Sequence, residues 1–450
     1  MTELLDLATT LAGRAASGEE VEAFLTHERS FQVKAYDGEV ESLSSAEPRG
    51  AGVRVVADRR VGFAYTTDLS SAGLEAVLGQ ARANAAFATP EDAAGLAARW
   101  DSTPADIDRL VDPSHQGVSA DEKVAFAIEL ERATRANDAR IRAVEEAVYS
   151  DSDSEVAIAT STGISGTYRR TDAWCYSVAI ATEDDDTQVG FDFDLARGLS
   201  GLDAHDVAER SARRALDILG AAKIPSAKMP VVFDPYTSGQ WLGVLGSALT
   251  ADAVQKGRSL FGGKIGELVA SETLSLVDDG RAPGAPGSSP WDDEGVPTGA
   301  TRIIGDGVLE SFLYDTRTGR REGRGSTGNA SRAGFKSVPS PSPSNLAFAS
   351  TGESRAEVLA KAGRALLVQD FHGVHSGANP VSGDFSVGAT GRMIEDGDLG
   401  APVKEVTIAA PMLEMLTNVE AVATDLRWLP FGGSFGGATT LISEMTIAGL

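Results

Sequence analysis

IRAVEEAVYSDSDSEVAIATSTGISGTYRRTDAWCYSVAIATEDDDTQVGFDFD, residues 141–194, is the stretch whose reading decides the fold class. Residues 141–149, 154–160, 163–168, 173–182 and 187–194 read as short strands of a meander, and no helical period interrupts them. A helix over 120–137, with Ala120-Asp121 near its cap, precedes the meander, and a helix over 205–219 closes it. Strands that succeed one another without regular intervening helices predict α+β rather than a doubly wound α/β fold.

The same grammar stands upstream. Leu4, Leu5, Leu7, Ala8 and Leu11 form a helical stripe, and residues 21–26, 30–36, 39–44, 52–56 and 61–65 read as strands. Asp37-Gly38 and Asp58-Arg59-Arg60 are turn signals, and a helix follows over 70–87 with Ser70 or Ser71 as its cap. The repetition predicts an α+β unit over 1–112 and a second over 113–222, each with antiparallel strands and flanking helices. Two halves of one larger sheet would give the same pattern.

After a short linker a third, β-rich domain is predicted over 228–450. It opens with a buried strand, MPVVF at 229–233, and a helix over 237–256. Trp241, Val244, Leu245, Ala248 and Leu249 share one face of that helix. Two Gly- and Pro-rich loops, 278–298 and 321–345, flank a hairpin over 301–314 that turns at Gly305-Asp306-Gly307. Another hairpin turns at Glu395-Asp396-Gly397, and a last strand lies near 441–445. Loops of such length without secondary structure are often functional.

Among the 450 residues, Lys+Arg number 40 against Asp+Glu 65, a formal net charge of -25. Affinity for DNA rests largely on neutralising phosphates, so no nucleic-acid partner is expected. The single cysteine, Cys175, excludes an internal disulfide framework and a thiolate-rich metal site. It sits in an apolar run over 173–180 and reads as a buried, inert thiol. Residues 1–14 lack a basic segment followed by an apolar one, so no signal peptide is expected. No apolar run approaches about 18 residues, so no membrane span is expected, and the cytoplasm is the expected compartment.

The runs FGGKIGELVAS at 261–271, VDDG at 277–280, DDEGVPT at 292–298 and STGN at 326–329 occur in that order. Together they resemble the C-terminal domain of the TldD/PmbA family of paired metalloproteases. NPVSGDFS at 379–386 resembles the PmbA, or TldE, branch in particular. The resemblance spans nearly all of 229–450 and is weaker upstream, where the strand order and Gly52-Val53-Arg54 agree with it.

Active TldD-type subunits carry an HExxxH helix just before the FGGKIGE-like run, and a later cysteine supplies a further ligand. Two imidazoles on one helix can hold a zinc ion, and the glutamate can activate its water. Here the corresponding positions are Leu242, Gly243 and Ser247, and 427–437 contains no cysteine. The resemblance therefore implies a non-catalytic subunit with no catalytic residue, no metal ligand and no cofactor of its own. Zinc is expected in a TldD-type partner, and the pair is expected to cleave unfolded or short peptides. A homodimer is the alternative assembly when the chain is alone. Asp292, Asp293, Glu294, Gly295, Thr327, Gly328 and Asn329 are the expected surface facing the peptide chamber, as solvent-exposed loop residues.

Two other readings stand beside this one. A stand-alone metallohydrolase would use His372 and His375, an HxxH pair whose neighbours Gly373 and Gly377 favour a loop. A peptide-binding regulatory module would need no protease partner. His27-Glu28 lacks a second histidine at helical spacing, and Glu183-Asp184-Asp185-Asp186 reads as a solvated turn.

Overall fold

The turn signals place the first strands in the computed structural model, which describes residues 3–100, 107, 109–429 and 433–450. Met1 and Thr2 of the predicted first helix, and residues 430–432 of the stretch without cysteine, lie outside the described residues. Asp37 and Gly38 take φ of 52° and 77°, and Asp58 and Arg59 take 50° and 62°, the geometry of tight hairpin turns. They join β1 (Glu19–Tyr36) to β2 (Glu39–Ala46), and β3 (Arg49–Ala57) to β4 (Arg60–Thr66).

The second unit supplies β5 (Ile141–Thr160), β6 (Ser165–Glu183) and β7 (Asp186–Ala196). All seven strands form one sheet in the order β4-β3-β1-β5-β6-β7, with β2 paired to the far end of β1. β1 and β5 pair antiparallel from Glu22 opposite Thr160 to Ala35 opposite Ala147. The two units are thus halves of one sheet.

Three expected strand breaks are absent. Residues 21–26 and 30–36 merge into β1, 141–149 and 154–160 into β5, and 163–168 and 173–182 into β6. The break expected over 150–153 is absent because backbone ladders on both sides of β5 hold this polar run extended. Its charges find partners within the sheet and its helices: Lys123 reaches Asp151 at 2.6 Å, and Arg169 binds Asp153.

Helices cover one face in two pairs. α1 (Glu3–Ala12) and α2 (Ser71–Phe87, capped by Ser70) bury Val21, Ala23, Leu25, Val53 and Val55. α3 (Ala120–Ala136) and α4 (Ala204–Leu216) lie over Val33, Ala35, Tyr149 and Cys175. Ser119 and Glu122 close a capping box at the start of α3. The halves share one device. Gly62 on β4 and Gly190 on β7 let α2 and α4 come down onto the sheet, since a Cβ there would lie 2.0 Å from Ala81 O and 2.2 Å from Ser211 O. Burial pushes the Cys175 thiol up to about 12, consistent with an inert thiol.

In the third segment, β8 (Ala227–Phe233), β15 (Ala365–His372), β16 (Asp384–Glu395), β17 (Asp398–Pro411) and β21 (Thr440–Ala448) form a closed ring. Closure comes from β21 pairing with both β8 and β17. β18 (Val419–Val422) adds to β21. A second sheet runs β11-β10-β9-β14-β20-β19, from β9 (Leu276–Asp279), β10 (Ala300–Gly305), β11 (Val308–Leu309), β14 (Leu346–Phe348), β19 (Arg427–Leu429) and β20 (Phe435–Gly437). β12 (Ala330–Ser331) and β13 (Ser340–Pro341) form a short ribbon.

α5 (Pro235–Ala248) is gripped between the ring and the second sheet, burying Trp241, Leu242 and Leu245 beside Phe233 and Phe348. The predicted 237–256 helix breaks after Ala248, and α6 (Ala251–Gln255) follows. Strand-like bonds cause the break: Leu313 N donates to Leu249 O at 3.0 Å and Ala251 N to Leu313 O at 2.9 Å. Thr250 then caps α6. Four short helices complete the domain: α7 (Thr316–Arg321), α8 (Arg355–Ala362), α9 (Val374–Gly377) and α10 (Met412–Thr417). The architecture is α+β, as expected. Among the described residues no helix is long and apolar enough to cross a membrane.

Candidate functional site

The two long loops turn inward. One Asp292 carboxylate oxygen accepts the backbone N–H groups of Glu294 and Val296 at 2.9 Å, and the other accepts Ala330 N at 3.0 Å. Glu294 is fully buried and accepts from Arg54 Nη1 at 2.9 Å and from Thr316 N at 2.8 Å. Arg54 in turn reaches Glu22 of β1 at 2.5 Å, and Arg332 binds the other oxygen of Glu22. Asp293 accepts Arg332 N at 2.7 Å, and the carbonyl of Gly295 accepts from Trp100 Nε1 at 2.6 Å. Thr327 Oγ1 donates to Asn329 Oδ1 at 2.7 Å, Gly328 packs on the Pro297 carbonyl, and Asn329 Nδ2 donates to Asp278 at 2.6 Å.

The expectation that Asp292, Asp293 and Glu294 are exposed loop charges is therefore corrected. Asp292, Glu294, Gly295, Gly328 and Asn329 are buried, and Asp293 and Thr327 are partly so. Glycine and proline made the loops look mobile, but carboxylate-to-backbone bonds and a buried ion network tie them to β1 and β3. Phe24, Ile158, Ile164 and Phe335 pack around the same junction. Burial works against ionised Glu22, but the Arg332 and Arg54 guanidiniums outweigh it and hold Glu22 below the usual range. Burial, followed by the charge of Glu294, pushes Asp292 well up. Burial also pushes Asp293 and Asp278 up to about 6.

The same bare face of the sheet is open at its other end. In β6, Ala173, Cys175, Ser177 and Ala179 point into the helical layer, while Trp174, Tyr176, Val178 and Ile180 alternate onto the bare face and are only half-buried. Trp174 and Tyr176 stack at 5.6 Å and 8°, Tyr176 meets Phe191 of β7 at 5.8 Å, and Phe191 meets Tyr236 of α5 at 5.5 Å. This aromatic ladder runs between two hollows. One, about 340 Å³, is lined by Arg170, Asp172, Trp174, Leu195, Gly287 and Gly433. The other, about 300 Å³, is lined by Val189, Phe191, Tyr236, Gln369, Asp370 and His372.

An arginine cluster ties β7 to α4 and to the C-terminal domain. Asp192 on β7 accepts from Arg427 Nη2 at 2.8 Å and Arg210 Nε at 2.9 Å, while Arg214 reaches Asp234 at 2.5 Å. Burial opposes the charge on Asp192, yet Arg427 and its neighbours hold its carboxyl below the usual range. A groove of half-buried aromatic rings beside an open sheet edge can hold an extended chain through ring contacts and backbone bonds. The sequence reading missed these residues. Their signal was the run AWCYSVAI at 173–180, apolar on both faces of a strand with only one helical layer to cover it.

Three family models match the chain. PmbA/TldA metallopeptidase domain 1 matches residues 21–85, the central domain 113–219 and the C-terminal domain 226–449. The chain belongs to the PmbA/TldD metallopeptidase family. It is 28% identical to the metalloprotease PmbA of Escherichia coli O157:H7, over 100% of this chain and 96% of that one. A metalloprotease PmbA homolog of Haemophilus influenzae is 26% identical over the same shares. Among solved structures, a Thermotoga maritima protein superposes with a TM-score of 0.87 at 26% identity, covering 99% of both chains. TldE from Thermococcus kodakarensis superposes at 0.86 and 22% identity, covering 96% of this chain and 97% of that one.

Within this PmbA/TldD fold, the positions compared with the metal helix lie on α5. Leu242 is fully buried in the core, a Cβ on Gly243 would sit 3.5 Å from the Phe435 ring, and Ser247 is exposed with its hydroxyl donating to Val244 O at 2.8 Å. His372 ends β15 with Nε2 2.8 Å from Thr390 Oγ1, and His375 lies on α9. Among the described residues no group of three or more His, Cys, Asp and Glu is placed to hold a metal ion. The run Glu183 to Asp186 is a turn whose Asp186 accepts from Lys404 at 2.7 Å.

Proposed function

We propose that this chain is the non-catalytic subunit of a two-chain PmbA/TldD metallopeptidase, holding an unfolded or short peptide for a zinc-bearing TldD-type partner. The reading rests on α5, which keeps its place between the ring and the second sheet, and on the register of the family resemblance, counted back from Gly257, which sets Leu242, Gly243 and Ser247 at the metal-ligand positions. Leucine has no lone pair, glycine no side chain, and a neutral serine hydroxyl is a poor zinc ligand. The aromatic cleft supports a peptide-holding role. Side chains would rest on Trp174, Tyr176 and Phe191, which gives affinity tolerant of sequence. The net charge of -25 favours a role away from nucleic acid.

The test is purification with and without an HExxxH-bearing relative from the same cell, followed by elemental analysis and a peptidase assay. The chain alone is expected to hold no stoichiometric zinc and to cleave nothing, and the pair to form a stable complex that cleaves unfolded peptides. One tightly held zinc per isolated chain would overturn the reading and favour a site at His372 and His375.

A further inference from the structure

We propose that the hollow at the β7 edge captures the free α-amino group of a peptide, with Asp370 as counter-charge and the Gln369 amide oxygen as second acceptor. The proposal rests on the peptide-holding reading above and adds an end and a polarity to it.

The backbone aims both groups. The β15–β16 register shifts between Val368 and Asp370, a bulge that places Gln369 and Asp370 together at the hollow while Phe371 returns to the core. Among the described residues, Gln369 Oε1 is a buried acceptor without a hydrogen-bond partner. Such an atom is usually satisfied in a folded protein, so its state calls for a donor. Asp370 is lifted above the usual range by burial, which the His372 ring and Arg214 offset only in part.

The acidic and basic side chains lining the hollow are Arg214, Asp370 and His372. Arg214 is engaged by Asp234 at 2.5 Å and by Asp192, so among the described residues Asp370 has no ion pair of its own and only the nearby His372 ring and Arg214 offset its charge. A cation with several N–H donors fits this unpaired carboxylate, and an ammonium offers three.

The rest of the hollow suits a chain attached to that ammonium. β7 ends the seven-stranded sheet and, among the described residues, pairs only with β6. Val189, among the more exposed large apolar residues, and Phe191 line the hollow beside Tyr236. A strand laid along β7 with its amino terminus at Asp370 would meet this apolar wall and then the ladder.

The test uses the full chain and a short alanine-rich peptide with a C-terminal fluorophore, once with a free amino terminus and once N-acetylated, read by fluorescence anisotropy at pH 7. The free-amine peptide is expected to bind about tenfold tighter or more, as a charge-assisted contact in a buried site should give. Asp370→Asn is expected to abolish the difference while leaving the weaker acetylated binding in place. The wild-type comparison stands by itself even where the variant does not fold. Equal binding of the two peptides, no binding of either at millimolar concentration, or full selectivity in a folded Asp370→Asn protein would overturn the proposal. A pair that assembles and cleaves peptides without amine selectivity would sink this inference and leave the subunit reading intact.

Discussion

One face of the seven-stranded sheet meets the C-terminal domain in two opposite ways. At β1, β3 and the near end of β5 it is docked: Phe24, Ile158 and Phe335 pack together, and Glu22, Arg54, Glu294 and Arg332 form a dry ion network. At β6 and β7 the same face stands off, with its aromatic ladder half-buried. Charges are buried where the two domains are docked, and apolar rings stay half-buried where they stand apart. A buried ion network is a poor source of net stability, but losing one partner is strongly unfavourable, so it fixes one arrangement. An uncovered aromatic row is the usual mark of a binding surface.

That contrast can be broken at either end. The largest effect is expected from Arg54→Met, which leaves Glu294 buried without its guanidinium and takes one of two from Glu22. The loss should be about 3–5 kcal/mol, read as a lower thermal midpoint. An unchanged midpoint would mean that the docked end is wet and loose. Trp174→Ala should act in the opposite sense, leaving the midpoint nearly unchanged while weakening peptide handling by the reconstituted pair by ~2 kcal/mol. Full turnover in that variant would remove the ladder from the site.

The pH response sharpens the docked end. Burial raises Asp293 from its ordinary value to about 6, so its ionisation works against folding as pH rises from about 4 to about 6 and adds nothing further above that. Asp293→Asn removes this ionisation. The variant should therefore gain on the wild type across that window, by ~1–2 kcal/mol given partial exposure. Urea midpoints of both proteins at several pH values measure it, and a constant difference would count against the buried assignment. The smallest effect is expected from Ser247→Ala on α5. Stability should stay within about 0.5 kcal/mol and turnover by the pair should not change, since the hydroxyl only returns to its own helix. A large loss of turnover would give Ser247 a part in the chemistry.

Hairpin turns were the most legible feature of the chain, because Asp-Gly pairs with positive φ are a local property. The helix over 120–137 was legible from its local pattern, although its cap is Ser119 rather than Ala120-Asp121. Strand length was not. Residues 150–153 read as a break because nothing within five residues shows that β1 and β6 will lie on either side. The split between α5 and α6 was hidden likewise, since Leu313, far along the chain, supplies the bonds that end the first helix.

The sequence by itself determined the fold class, the family resemblance and the residue chemistry at Leu242, Gly243 and Ser247, because turn signals, spaced motifs and side-chain types are written residue by residue. Only the tertiary structure decided what is inside. The loop 292–295 reads as an exposed surface in the sequence, and it is the buried pin between the domains. In the run AWCYSVAI, which reads as core, Trp174, Tyr176, Val178 and Ile180 are only half-buried. Burial depends on which elements meet across the fold. A carboxylate is stable inside only where distant guanidiniums and backbone N–H groups come to it, and an aromatic row stays half open only where no distant element covers it.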